Sequence, residues 1–273
     1  MAEIVESGIR MFAFLLLLLI PAYLTSGQTT QERLLSNHRI YSPEGQEPRP
    51  GVVAIPGCSG VSLGGRATDA GGGSPTDSLF RRHYPRMAER LMERGYVVML
   101  VDYLSGEGVI NACRGEVSPS TIASYVHAAV GFLRRHERVD STRVHVIGWS
   151  LGGAGLLAAL ERMPAEASSS FRSAVAFYPG CAAPRPWSTE VPVLMLLGGL
   201  DDITPPDVCE QLVESVLHRE SVELHRYSEA RHGFDVEGAP AVISTGRGTT
   251  IGYNDGAALA AWAEVFRFLE AHE

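Results

Sequence analysis

The stretch RVHVIGWSLGGAGLLAAL, residues 143–160, decides how the chain folds. Its first five residues include two valines and an isoleucine, which predicts a buried strand at residues 143–147. Leucine and alanine dominate the second half of the stretch and predict a helix over 151–162. Between them, Gly148-Trp-Ser-Leu-Gly152 matches G-x-S-x-G, a pattern in which a sharp strand-to-helix turn raises a serine hydroxyl above the edge of a parallel sheet. Ser150 is therefore the candidate nucleophile.

A second match to the same pattern, Gly60-Val-Ser62-Leu-Gly64, lacks this context. It comes after Pro56 and Cys58 and opens into a glycine-rich loop, so it does not have both a strand that ends at its first glycine and a helix that begins just after its serine. We interpret it as a flexible loop that happens to contain a serine.

Along the rest of the chain, apolar runs of strand length alternate with segments of helical period. This alternation predicts an α/β fold with a mostly parallel, twisted sheet covered by helices on both faces. Two long loops, 62–78 and 236–254, are candidate walls of a site. The predicted strands are 51–55, 96–101, 143–147, 174–178, 193–197 and 222–227, and the predicted helices are 79–94, 120–137, 151–162, 206–218 and 256–271.

The composition limits the classes of function. The chain has 273 residues, of which 45% are hydrophobic and 20% charged, enough for one globular domain of moderate size. Its formal net charge of −8 gives no reason to expect a nucleic-acid partner. The sequence contains no lysine, which excludes a Schiff-base lysine, a P-loop and a serine–lysine dyad.

The N-terminus has the pattern of a secretory signal peptide. Arg10 precedes the apolar run Met11–Ile20, which is followed by Pro21 and then by the small residues Thr25, Ser26 and Gly27. We therefore predict a signal at residues 1–27, a single domain at 28–273, and a secreted or periplasmic protein. The alternative is an uncleaved membrane anchor. An exported protein commonly pairs its cysteines, and the four cysteines allow three pairings, with four free thiols as the other possibility.

A serine nucleophile needs a base, and in this architecture an acid and then a histidine come after the serine along the chain. His232 lies in a loop just beyond the predicted strand 222–227, where it can reach the carboxyl edge of the sheet. The other downstream histidines are less well placed, on a helix surface, inside a strand and at the chain end: His218, His225 and His272. We predict His232 as the base.

Two neighbouring aspartates come after the predicted strand 193–197. Asp201 comes first and is the preferred acid, whereas Asp202 could cap the turn or bind loop amides. Asp102 also ends a strand, but it precedes Ser150 and so has the wrong order. We interpret it as a turn residue.

Two backbone amides are needed to hold the oxyanion of a tetrahedral intermediate. The first should be that of Leu151, directly after the nucleophile at the start of a helix. The second should come from the loop Pro56-Gly-Cys58-Ser-Gly60, where Cys58 is the preferred donor and Ser59 its neighbour. We expect no metal or organic cofactor, because no H-E-x-x-H or clustered cysteine–histidine spacing occurs.

Five segments of the sequence carry a family resemblance: Pro56–Gly60, Gly148–Gly153, Phe177–Gly180, Gly199–Pro205 and Arg231–Asp235. In combination they resemble the dienelactone hydrolase family of α/β-hydrolases, from about residue 50 to the end. The resemblance implies a triad of Ser150, Asp201 and His232, with Asp201 rather than Asp202 aligned to the acid of the family.

The sequence also departs from the family. Enzymes that open dienelactone use a cysteine nucleophile where this chain has Ser150, and Val236 occupies the position of an arginine that holds the substrate carboxylate. The resemblance therefore implies a general carboxylic-ester or lactone hydrolase that forms an acyl-enzyme. Three arginines either bind an anionic substrate or are solvated at the surface: Arg66, Arg114 and Arg231.

The family's sheet order places the loops of two cysteine pairs side by side. This implies disulfides between Cys58 and Cys113 and between Cys181 and Cys209. Only residues 180–192 connect the predicted strand 174–178 to the strand before Asp201, which leaves no room for a cap domain.

Two alternatives share the fold. One is a peptidase of the prolyl-oligopeptidase type with the same triad, and the other is a non-catalytic binding protein. The expected partner is a small-molecule ester or lactone, with no stable membrane association once the signal is removed.

Overall fold

A computed structural model describes residues 29, 33, 38–61, 75–161, 171–182, 187, 189–245 and 248–273. The predicted signal peptide, Ser62 and Arg66 lie outside these residues. The strands are β1 (His38–Tyr41), β2 (Arg49–Ile55), β3 (Val97–Val101), β4 (Val139–Trp149), β5 (Ser173–Phe177), β6 (Val193–Gly198), β7 (Val222–Tyr227), β8 (Ile243–Ser244) and β9 (Thr250–Ile251). The α-helices are α1 (Pro75–Glu93), α2 (Tyr103–Gly106), α3 (Pro119–Leu133), α4 (Leu151–Glu161), α5 (Pro206–Glu214) and α6 (Asp255–Ala271).

Seven of the strands form one sheet in the order β1-β3-β2-β4-β5-β6-β7. Every pair is parallel except the edge pair β1–β3, which is antiparallel. The predicted α/β-hydrolase fold is confirmed. The six predicted strands are β2 to β7, and the sequence prediction missed β1, a four-residue edge strand with the polar residues His38 and Arg39.

Two apolar cores lie on opposite faces of the sheet because successive strand residues point to opposite sides. In β2, Val53 and Ile55 pack into the core under α3, α4 and α5, and Val52 and Ala54 pack into the core under α1 and α6. Both faces of β2, β3, β5 and β6 are buried. The carboxyl ends of the parallel strands remain at one edge for a site.

Some predicted boundaries were wrong. The helix predicted over 206–218 ends at Glu214, and Val216 instead forms a β-bridge with Trp187, so His218 lies outside the helix. The loop predicted over 236–254 contains the small antiparallel pair of β8 and β9. The short helix α2 was also missed, and the side chain of Asp102 caps it, as expected of a turn residue.

Among the described residues that connect β5 to β6 (178–182, 187 and 189–192), no helix forms a cap domain. Over the described ranges, no helix has both the length and the apolar character needed to span a membrane.

Candidate active site

Ser150 occupies a sharp turn between the end of β4 and the start of α4. Its φ is 51°, a left-handed conformation that side-chain-bearing residues rarely adopt. The glycines on either side are required by close backbone contacts. A Cβ at Gly152 would lie 2.3 Å from the carbonyl oxygen of Ile55, and a Cβ at Gly148 would lie 2.7 Å from that of Gly152. The predicted strand-turn-helix around Ser150 is therefore present.

His232 connects Ser150 to Asp201. Its Nε2 lies 2.9 Å from the Ser150 Oγ, and its Nδ1 lies 2.7 Å from the Asp201 Oδ2. All three residues are buried, with exposed fractions of 9% for Ser150, 4% for His232 and 5% for Asp201. An ionised carboxylate only accepts hydrogen bonds, so the Nδ1 carries the proton and the Nε2 accepts from the hydroxyl.

The surroundings of Asp201 favour its ionised form. Burial alone would raise the pKa of this carboxyl, but attraction to His232 and hydrogen bonds from His232 and Thr204 outweigh it and hold the pKa below its ordinary value. The backbone amides of Ile203 and Thr204 donate to Oδ1 at 2.9 and 2.8 Å, and the Thr204 hydroxyl donates to Oδ2 at 2.8 Å.

Asp202 has a different set of partners. Its carboxylate accepts hydrogen bonds from the amide and hydroxyl of Thr250, at 2.8 and 3.0 Å, in β9. The alternative that Asp202 binds loop amides therefore holds, and of the two aspartates only Asp201 contacts the imidazole.

Two backbone amides near Ser150 are free to bind a ligand. Within the described part of the chain, the amides of Leu151 and Cys58 donate no hydrogen bond. Leu151 is the first residue of α4, where N–H groups have no intrahelical acceptor. The loop that contains Cys58 lies against the turn, because a Cβ built on Gly57 would be 3.3 Å from the Ser150 Cβ.

Two buried tyrosines that the sequence prediction missed hold this loop in place. The amide of Gly57 donates to the Tyr84 hydroxyl at 2.9 Å, and the Tyr103 hydroxyl donates to the carbonyl of Gly57 at 2.8 Å. These tyrosines come from α1 and α2, so no local sequence pattern links them to the loop.

Both predicted disulfides are present. Cys58 is bonded to Cys113 and Cys181 to Cys209, with Cα separations of 4.8 and 5.2 Å. They join loops that come after the neighbouring strands β2 and β3 and the neighbouring strands β5 and β6. The first disulfide fixes Cys58, which follows Gly57 in the loop that lies against the turn.

A second buried carboxylate, Asp235, lies beneath the site and was also missed. It accepts hydrogen bonds from the Tyr178 hydroxyl at 2.6 Å and from the indole N–H of Trp149 at 3.0 Å, and its Oδ2 lies 3.1 Å from the His83 Nε2. Burial would raise its pKa, but His83 and these hydrogen bonds hold the pKa below its ordinary value. Trp149 directly precedes Ser150, and the ring of Tyr178 lies 4.7 Å from the ring of His232. By accepting hydrogen bonds from both Trp149 and Tyr178, Asp235 holds one residue next to Ser150 and one next to His232.

The remaining candidate residues take no part in the contacts among Ser150, His232 and Asp201. Arg114 lines a cavity beside Ser150, whereas Arg231 donates to the Thr250 hydroxyl at 2.8 Å. His225 is in β7, as predicted, and His272 caps α6. Among the described residues, no cluster of three or more histidine, cysteine, aspartate or glutamate side chains could hold a metal ion.

Solved structures of the same fold include hydrolases of esters. A dienelactone hydrolase-like promiscuous phosphotriesterase from metagenomic libraries is 19% identical, with a TM-score of 0.64 over 86% of this chain and 92% of that chain. Esterase 2 of Thermogutta terrifontis, bound to propionate, is 18% identical, with a TM-score of 0.57 over 86% and 88%. The same esterase phosphorylated by paraoxon is 18% identical, with a TM-score of 0.55 over 85% and 87%. At these identities the likeness shows the fold alone.

No curated protein matches the chain in sequence. The sequence model of the dienelactone hydrolase family, however, matches residues 37–273, which include Ser150, Asp201 and His232. The chain belongs to the dienelactone hydrolase family.

Proposed function

We propose that this protein is a serine hydrolase that cleaves a carboxylic ester through an acyl-enzyme on Ser150. The observation that carries the proposal is the chain of contacts from the Ser150 hydroxyl through His232 to Asp201, at 2.9 and 2.7 Å. Membership of a hydrolase family supports it, as does a fold shared with an esterase.

In the first half of the reaction, the Ser150 Oγ attacks the ester carbonyl carbon while the Nε2 of His232 takes its proton. The carbonyl π bond opens to an oxyanion. The intermediate then collapses, the bond to the alcohol oxygen breaks, and Nε2 returns the proton to that oxygen. An alcohol leaves and the acyl group remains on Ser150.

In the second half, water attacks the acyl carbon and His232 takes a proton from it. Collapse of the second intermediate breaks the bond to the Ser150 Oγ, which receives the proton, and a carboxylic acid is released. Asp201 keeps the imidazole in the required tautomer and stabilises the imidazolium that forms twice in each cycle.

The amides of Leu151 and Cys58 are proposed as the oxyanion hole. Each is free to donate, and each lies next to the turn that presents Ser150. Removing one such donor typically lowers kcat by a factor of about 10² to 10³.

The proposal extends to the organisation and location of the chain. Residues 1–27 are proposed as a secretory signal and 28–273 as one hydrolase domain in an oxidising compartment. Two disulfides and no free cysteine among the described residues support that location.

The test is hydrolysis of p-nitrophenyl esters of graded acyl length, of simple lactones and of aminoacyl amides, by the wild type and by Ser150→Ala. We expect turnover of esters that falls by about 10⁶-fold in Ser150→Ala. Faster cleavage of the amides than of the esters would favour a peptidase. Turnover that survives in Ser150→Ala, or its absence from every substrate in the wild type, would contradict the proposal.

A further inference from the structure

Two cavities meet at Ser150. The first, which we call the α4 cavity, has a volume of about 550 Å³ and lies over α4. The second, the loop cavity, has a volume of about 1020 Å³ and lies between α1 and the loops around β8 and β9. Both are lined by Ser150, Cys58 and Cys113. The Cys58–Cys113 disulfide therefore forms the ridge between them.

His232 distinguishes the two cavities. It lines the loop cavity and is not among the residues that line the α4 cavity. In ester cleavage the imidazole returns its proton to the leaving oxygen, so the leaving alcohol must lie on the side of the imidazole. The acyl group then extends the other way.

We propose that the α4 cavity binds the acyl chain of the substrate and that the loop cavity binds its alcohol. This assignment rests on the function proposed above and narrows it to an open-chain ester with substantial groups on both sides of the carbonyl. A small lactone would leave most of both cavities empty.

The α4 cavity has the chemistry of an acyl pocket. Its walls include the apolar residues Ala154, Leu157, Ala158, Trp187 and Leu212. Within the described part of the chain, Glu161 at the end of α4 is the one charged residue that lines it. An apolar, uncharged acyl chain would displace water from this surface.

The loop cavity is larger and more polar. Arg114, Glu116 and Asp202 line it together with the hydroxyls of Ser244, Thr245 and Thr249. Apolar contacts come from Phe80, Ile110 and Ile203. These walls suit an alcohol with both a ring-sized apolar part and hydroxyl groups.

Two single substitutions test the assignment separately. Ala158 is half-buried and lines the α4 cavity, and Ile110 is 51% exposed and lines the loop cavity. A tryptophan at either position should therefore narrow one cavity and leave the other unchanged. Leu259, 66% exposed on α6 and outside both cavities, provides the matched control Leu259→Trp. Ala158→Leu is a milder variant that should act in the same direction.

The measurement is kcat/KM in two substrate series. The acyl series compares p-nitrophenyl octanoate with p-nitrophenyl acetate, and the alcohol series compares 1-naphthyl butyrate with methyl butyrate. We expect Ala158→Trp to lower the octanoate-to-acetate ratio at least tenfold and to change the naphthyl-to-methyl ratio less than twofold. Ile110→Trp should do the reverse, and Leu259→Trp should change neither ratio.

Each other outcome has a definite meaning. Exchange of the two effects would mean that the cavities are assigned the wrong way round, and unchanged ratios in the folded variants would mean that neither cavity binds substrate. Labelling of wild-type Ser150 by a fluorophosphonate separates these failures from failure of the proposed function. If the wild type has esterase activity and is labelled but the variants do not change the kcat/KM ratios as expected, only the cavity assignment is overturned. If the wild type has neither esterase activity nor labelling, both proposals are overturned.

Discussion

Asp201 and Asp202 are adjacent in sequence, yet their carboxylates bind different parts of the chain. The Oδ2 of Asp201 lies 2.7 Å from the imidazole of His232, whereas Asp202 accepts from the amide and hydroxyl of Thr250 in β9. Asp201 orients the proposed base, whereas Asp202 binds the strand β9, whose loop forms part of the wall of the site.

This difference predicts unequal effects of isosteric substitution. Asp201→Asn should lower kcat by about 10⁴-fold, because an amide stabilises the wrong tautomer of His232. Asp202→Asn should lower kcat/KM by no more than about tenfold, since it weakens two exposed hydrogen bonds. Steady-state kinetics on a p-nitrophenyl ester check both values. Equal losses in the two variants would mean that Asp201 has no special role.

Asp235 should be essential to the stability of the site. Asp235→Ala leaves Tyr178, Trp149 and His83 without their buried acceptor, and should lower the free energy of unfolding by about 3 to 5 kcal/mol. Tyr178→Phe removes one of these hydrogen bonds and should cost about 1 kcal/mol. Urea unfolding followed by tryptophan fluorescence measures both. A loss below about 1 kcal/mol in Asp235→Ala would show that the network contributes little.

The two disulfides should differ in their effect on activity. Replacing both cysteines of a pair by serine should cost about 4 kcal/mol of stability in either case, from the chain entropy of closed loops of 55 and 28 residues. Loss of Cys58–Cys113 should also lower kcat at least tenfold, because Cys58 carries a proposed oxyanion donor. Loss of Cys181–Cys209 should have a smaller effect on kcat. Thermal unfolding and kinetics below the melting temperature separate the two contributions, and a larger kcat loss in the second pair would contradict this prediction.

His145 should make the fold sensitive to acid. It is fully buried in β4, with Nδ1 2.8 Å from the Ser173 Oγ, and burial followed by repulsion from nearby basic groups lowers its pKa from 6.5 to about 3. Between these values the unfolded chain binds a proton that the folded protein does not, so stability falls as the pH falls.

The uncharged variant His145→Gln removes this proton linkage. When the pH is lowered from 7.5 to 5, the free energy of unfolding of the wild type should therefore fall by about 2 kcal/mol more than that of His145→Gln. Urea titrations at the two pH values measure the difference. Parallel pH dependences in the two proteins would mean that His145 titrates normally in the folded state.

Local patterns were sufficient to predict the turn at Ser150 and most of the sheet. Strands β3, β5 and β6 are near-continuous apolar runs. The glycines around Ser150 have a steric cause that the G-x-S-x-G pattern records. Chain order and position after a strand were enough to favour His232 and Asp201.

The missed features depend on contacts between distant residues. Asp235 comes three residues after His232 and looks like an ordinary loop aspartate until Trp149, Tyr178 and His83 surround it. Tyr84 joins Gly57 across 27 residues, and no periodicity marks such a contact. Local patterns predict helices and strands, whereas the packing of those helices and strands determines such long-range hydrogen-bond partners.

The most direct test of the central claim is the site of covalent labelling by a fluorophosphonate, located by mass spectrometry of the digested protein. We expect one adduct, on Ser150, formed much more slowly in His232→Ala and suppressed by an excess of ester substrate. A stable, folded wild-type protein that takes up no label, or one labelled only at another residue, would contradict the claim that His232 activates Ser150 as a nucleophile.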